Sequence, residues 1–106
     1  MTTPGSVQQA AERLHAARPQ ATIILFGSQA RGDAQPGSDV DFVVVLPQAP
    51  ASTRREMVTL ADLLRPLRVW GDVLVVGAKR FREAAAVPGT LYHTVVREGK
   101  VLYGSV

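Results

Sequence analysis

Two acids, Asp39 and Asp41, stand at the mouth of the run Asp41-Phe42-Val43-Val44-Val45-Leu46. The run is apolar and rich in β-branched residues, so it reads as a buried strand. Side chains along a strand alternate between faces. Both carboxylates therefore project the same way, roughly 6.5–7 Å apart at Cα. At an effective dielectric near 20, two such charges about 6 Å apart repel by roughly 3 kcal/mol. A divalent cation between them removes that cost. Upstream, Ala21 to Phe26 is another short apolar run, stopped by Gly27. The Gly27-Ser28 turn offers backbone N–H groups and a hydroxyl, a common cradle for phosphate. A metal beside a phosphate points to phosphoryl or nucleotidyl transfer.

The rest of the chain alternates helix and strand. Ser6-Val7-Gln8-Gln9 reads as a capping box that opens a helix, and Val7, Ala10, Ala11 and Leu14 follow at helical spacing until Pro19. Gly32, Pro36 and Gly37 mark an irregular loop between the first two strands. Pro47 and Pro50 close the second strand, and Thr53-Arg54-Arg55-Glu56 reads as another capping box. Met57, Leu60, Ala61 and Leu64 form the apolar stripe of that helix, and Pro66 stops it. Asp72 to Val76 is the third strand, between Gly71 and Gly77. Lys79 to Ala86 reads as helical. Pro88 is expected to open a further helix through Leu91 and Val95 to Glu98, with Gly99 as its C-terminal signal. Val101 to Tyr103 suits a short last strand. The pattern predicts an α/β (α+β) fold, a small mixed β-sheet flanked by helices.

A shared site constrains the topology further. Gly27-Ser28 ends the first strand and Asp39 begins the second, so neighbouring ends require those strands to be antiparallel. Asp72 begins the third strand. It reaches the same end if that strand runs parallel to the second, and the long helical crossover between them is what a parallel connection needs. Three acids then meet at one end of the sheet.

Composition limits the alternatives. A chain of 106 residues is expected to form one domain, residues 1–106. The net charge is +3, and the basic residues are scattered, so no direct nucleic-acid surface is expected. Lys79-Arg80-Phe81-Arg82 reads as the solvated start of a helix. No cysteine is present, which excludes disulfides, thiolate metal sites and cysteine nucleophiles. No secretory leader or bilayer-length apolar run is visible, so no membrane association and a cytoplasmic location are expected.

Gly27-Ser28-Gln29-Ala30-Arg31-Gly32, followed by Ser38-Asp39-Val40-Asp41, resembles the signature of the DNA polymerase β-type nucleotidyltransferases. The fuller motif is similar to their small prokaryotic branch, the minimal nucleotidyltransferases. The ending Arg97-Glu98-Gly99-Lys100-Val101-Leu102-Tyr103 fits as well. The resemblance implies a nucleotidyltransferase fold and an enzyme that moves a nucleoside monophosphate from a triphosphate to a hydroxyl. It implies that Gly27 and Ser28 hold the triphosphate. It implies that Asp39 and Asp41 bind two Mg²⁺ ions, and that Asp72 completes the acceptor-side metal and helps activate the hydroxyl. Arg31 either contacts phosphate or braces the loop. Many such proteins are antitoxins of a helical HEPN-type (higher eukaryote and prokaryote nucleotide-binding) RNase toxin, and some add AMP from ATP to a toxin tyrosine. Two alternatives stay open: an antitoxin that neutralises its partner by occlusion, and transfer to a small molecule of the aminoglycoside kind. The chain shows no extra domain for holding such a molecule, which favours a protein acceptor.

Other residues read as structural. Neither His15 nor His93 has a second ligand at metal spacing, so both are expected at the surface. Trp70 is expected in core or rim packing. Tyr92 and Tyr103 suit amphipathic packing, with Tyr103 also placed to serve a partner interface.

Overall fold

The structure is a computed structural model, and it describes residues 5–27, 40–67, 69 and 71–104. Helix α1 spans Gly5–Ala17 and leads into strand β1, Thr22–Phe26. Strand β2 follows at Asp41–Leu46, then helix α2 at Thr53–Leu64 with a 3₁₀ turn over Arg65–Leu67. Strand β3 is Val73–Gly77, helix α3 Ala78–Ala85, helix α4 Leu91–Glu98 and strand β4 Lys100–Tyr103. The sheet order is β3-β2-β1-β4. β1 pairs antiparallel with β2 and with β4, while β2 and β3 are parallel. This is the mixed sheet that a shared site demanded, joined across β2 and β3 by the α2 crossover.

Helices cover both faces of the sheet. On one, Ile23, Leu25, Phe42, Val44 and Val75 pack with Val7, Ala10, Ala11 and Leu14 of α1 and with Leu60 and Leu64 of α2. On the other, Ile24, Val43, Val45 and Val76 pack with Phe81 of α3 and Val95 of α4. Cover on both faces explains why β2 is continuously apolar rather than alternating. Each of Phe42 to Leu46 is buried. Such side chains contribute about 1.5–3 kcal/mol apiece, so burial on both faces is what holds β2 in place.

Several boundaries shift from the sequence expectation. α1 is already helical at Gly5, so Ser6 lies inside it rather than capping it. α2 is capped by Ser52, not Thr53: the Ser52 hydroxyl accepts from Arg55 N–H at 3.2 Å. Two adjacent hydroxyl residues could each cap, and the earlier one leaves Glu56 to pair elsewhere. α4 opens at Leu91 rather than Pro88. Thr90 caps it by accepting from His93 N–H at 3.2 Å, and its hydroxyl lies 2.6 Å from the Ala84 carbonyl. Gly99 does end α4, its N–H donating to Val95 O at 2.7 Å, but from an extended conformation.

The histidines are half-buried rather than surface residues. His93 Nδ1 donates to the Ala85 carbonyl at 2.9 Å. His15 stacks on Tyr103 with ring centroids 4.2 Å apart and planes 5° from parallel. Tyr92 packs on Phe81 at 5.4 Å, as a packing residue should. Lys79, Arg80 and Arg82 are exposed on α3. Trp70 lies outside the described residues, as do Gly32, Pro36 and Gly37. No helix among the described residues is long and apolar enough to cross a membrane.

Glu56 ties α2 to the end of α1. Arg18 Nε and Nη2 donate to its two carboxylate oxygens at 2.6 and 2.7 Å. The hydrogen bond from Arg18, opposed in part by burial, holds the Glu56 carboxyl below its ordinary value of 4.5. A lowered folded-state pKa contributes stability above the unfolded value and loses it as pH falls through the folded one. Wild type should therefore exceed Glu56→Gln in thermal stability near neutral pH. That advantage should shrink as pH falls below 4.5 and vanish in stronger acid, as read by melting curves across a pH series. A difference constant with pH would remove the ion pair from this role.

Candidate functional site

The site is built where three chain segments end together. β1 stops at Gly27, whose φ is +79. The antiparallel register sets Phe26 opposite Asp41, so the Gly27 turn arrives beside the first residue of β2. The parallel register sets Phe42 beside Val73, which brings Asp72 alongside Asp41. Two hydrogen bonds join these starts: Phe42 N–H donates to Asp72 O at 2.9 Å, and Asp72 N–H to Asp41 Oδ1 at 3.4 Å.

The Asp41 carboxylate thus spans the gap between Gly27 and Asp72. Its Oδ1 faces the Asp72 amide, and its Oδ2 lies 2.9 Å from where a Cβ on Gly27 would stand. By strand alternation Asp41 shares a face with Val43 and Val45, and Asp72 with Leu74 and Val76. Both acids therefore belong to the sheet face that α3 and α4 cover. Asp41 is half-buried and Asp72 exposed. Phe26 is half-buried opposite Asp41 and was not singled out from the sequence. Its place immediately before Gly27 was the available signal.

Of the six residues expected at the site, Gly27, Asp41 and Asp72 are described and lie together. Ser28, Arg31 and Asp39 lie outside the described residues. Among the described residues, no group of three or more His, Cys, Asp or Glu is disposed around a common point. The described pair suits a hard cation. Two acids at neighbouring strand starts offer oxygen donors, there is no cysteine in the chain, His15 is stacked on Tyr103 and His93 is bonded to the Ala85 carbonyl. Such a donor set fits Mg²⁺ or Mn²⁺ and not a soft metal.

An open hollow occurs at the other end of the sheet, lined by Arg18, Gln20, Leu46, Pro47 and Glu56. Leu46 is the far end of β2 from Asp41, so the hollow is separate from the acids. Its two charged residues neutralise each other, and Arg18 Nη1 is already bonded to Ala17 O at 2.7 Å. It offers no convergent reactive groups.

Known structures share this architecture. A crystal structure from Sulfolobus solfataricus, assigned provisionally as a nucleotidyltransferase, is similar with a TM-score of 0.62 at 17% identity, over 92% of this chain and 77% of that one. Identity that low speaks to the fold alone. A crystal structure of a toxin–antitoxin with AMP-PNP is similar with a TM-score of 0.57 at 25% identity, over 92% of this chain and 73% of that one. No curated protein is significantly similar to the chain in sequence. Residues 7–93 match the model of the nucleotidyltransferase domain, most of the chain's length and the whole of the strand–turn–strand that carries the acids, and the chain belongs to that family.

Proposed function

We propose that this chain is a minimal nucleotidyltransferase that moves AMP from ATP to a hydroxyl, a tyrosine's, on a helical HEPN-type toxin whose antitoxin it is. One observation carries the chemistry: Asp41 and Asp72 lie at the neighbouring starts of β2 and β3, against the turn at Gly27. Membership of the nucleotidyltransferase family supports transfer. The likeness to a toxin–antitoxin with AMP-PNP supports both an adenine triphosphate and a toxin partner.

In this reading residues 1–106 act as one domain in the cytoplasm. Gly27, Ser28 and Arg31 cradle the triphosphate, with Gly27 allowing close backbone approach. Asp39, Asp41 and Asp72 hold two Mg²⁺ ions. Bound Mg²⁺ supplies charge neutralisation at the phosphates and lowers the pKa of the acceptor hydroxyl. Asp72, more exposed than Asp41, faces the acceptor and takes its proton. A bond forms from the hydroxyl oxygen to the α-phosphorus as the bond to the β-phosphate oxygen breaks, and pyrophosphate leaves.

The test joins the chain with the product of its neighbouring reading frame, ATP and Mg²⁺. The partner's mass should rise by one AMP. If no mass shift occurs and the chain still protects cells from that partner, neutralisation is by occlusion and the transfer reading fails.

A further inference from the structure

Gly71 precedes Asp72 as Val40 precedes Asp41, and the two segments meet at unusual range. A Cβ built on Gly71 would clash with the Val40 carbonyl oxygen and lie 2.6 Å from both Val40 C and Val40 N. Real Cβ atoms essentially never come within 3.0 Å of such neighbours, and these are backbone atoms with no rotamer to give. Gly71 also has a φ of +147, which residues with side chains rarely adopt.

We infer that Gly71 is a positioning residue: its missing side chain lets the start of β3 close onto Val40 and so sets the separation of the Asp41 and Asp72 carboxylates. This rests on the metal reading of the site given above. The mechanics follow from what can yield. Val40 is 7% exposed and packed in the core shared with α1 and α2, so it is anchored. Gly71 and Asp72 are exposed, so a methyl at Gly71 displaces them instead. The Asp72 N–H then leaves Asp41 Oδ1, a contact already long at 3.4 Å. Mg²⁺ and its like demand close to ideal octahedral geometry, so a pair of ligands moved apart binds poorly.

The test is titration of Mn²⁺ by electron paramagnetic resonance, with AMP-PNP present, on wild type, Gly71→Ala and Gly77→Ala. Gly77 is the control because it closes the same strand at its other end, where a Cβ would meet Ala49 N and Cβ at 3.0 Å. Gly71→Ala should weaken Mn²⁺ about 10-fold or more, the usual cost of losing a group that orients a ligand. Gly77→Ala should lower the melting temperature and leave Mn²⁺ affinity alone. Wild-type affinity in a folded Gly71→Ala protein, or an equal loss in both variants, overturns the inference. If Gly71→Ala does not fold, wild type gives the answer by NMR. Substoichiometric Mn²⁺ should broaden the amide signals of Asp41, Gly71 and Asp72 before that of Gly77, and sharp Gly71 and Asp72 signals overturn it. Failure of wild type to bind Mn²⁺ at all sinks the metal reading itself. Binding by wild type with an indifferent Gly71→Ala sinks only the role of Gly71.

Discussion

Asp41→Asn should remove metal-dependent triphosphate binding and cut transfer by three orders of magnitude while leaving the fold intact. The substitution keeps the shape of the side chain, and an amide oxygen can still accept from the Asp72 N–H. What it removes is the charge. A bound divalent ion is worth several kcal/mol of charge stabilisation, and each ~1.4 kcal/mol is tenfold in rate, so the loss is on the order of 10³-fold. Stability should move the other way. Without metal, Asp41 and Asp72 are two acids at neighbouring strand starts, and neutralising one lowers the negative charge gathered there. The melting temperature of the metal-free variant should equal or exceed wild type, the usual relation between an active site and its host. Calorimetric titration with AMP-PNP and Mg²⁺ measures the first effect and a melting curve the second. Triphosphate affinity unchanged by the substitution and indifferent to EDTA would defeat the assignment.

What the sequence made legible follows from which forces are local. β2 begins and ends where expected, at Asp41 and Leu46, because an apolar run between charged and proline residues leaves one solution. The antiparallel and parallel pairings followed from a chemical demand, that Gly27 and the acids share an end, and β1, β2 and β3 meet that demand. Less legible were features that depend on distant partners. His15 stands one turn beyond Ala11, at the flank of the α1 stripe, and Tyr103 arrives from β4 to stack on it. Glu56 looked like half of a capping box until Arg18, at the end of another helix, claimed both its oxygens. The place of β4 beside β1 could not be read from four residues. For Ser28, Arg31 and Asp39 the roles above rest on the motif and the family alone.

Gly27→Val should be the most damaging change at the site that leaves every acid in place. Gly27 has a φ of +79, and a β-branched residue held there costs about 1–3 kcal/mol. Gly27 lies outside the apolar core, so the protein should still fold, with some stability lost to the positive φ. The larger effect is local. A Cβ at this position would stand 2.9 Å from Asp41 Oδ2, so the side chain both blocks approach to the backbone and pushes the carboxylate away from Gly27. Triphosphate affinity should fall about 100-fold, against about fivefold for Ser28→Ala, which deletes a single hydrogen bond of roughly 1 kcal/mol. The two causes separate in a double-mutant cycle. If Gly27→Val acts through Asp41, its effect on binding should shrink in an Asp41→Asn background, as for residues in contact. Full additivity would leave only the blocked backbone as the cause, and wild-type affinity in folded Gly27→Val would show that the turn does not hold the phosphates.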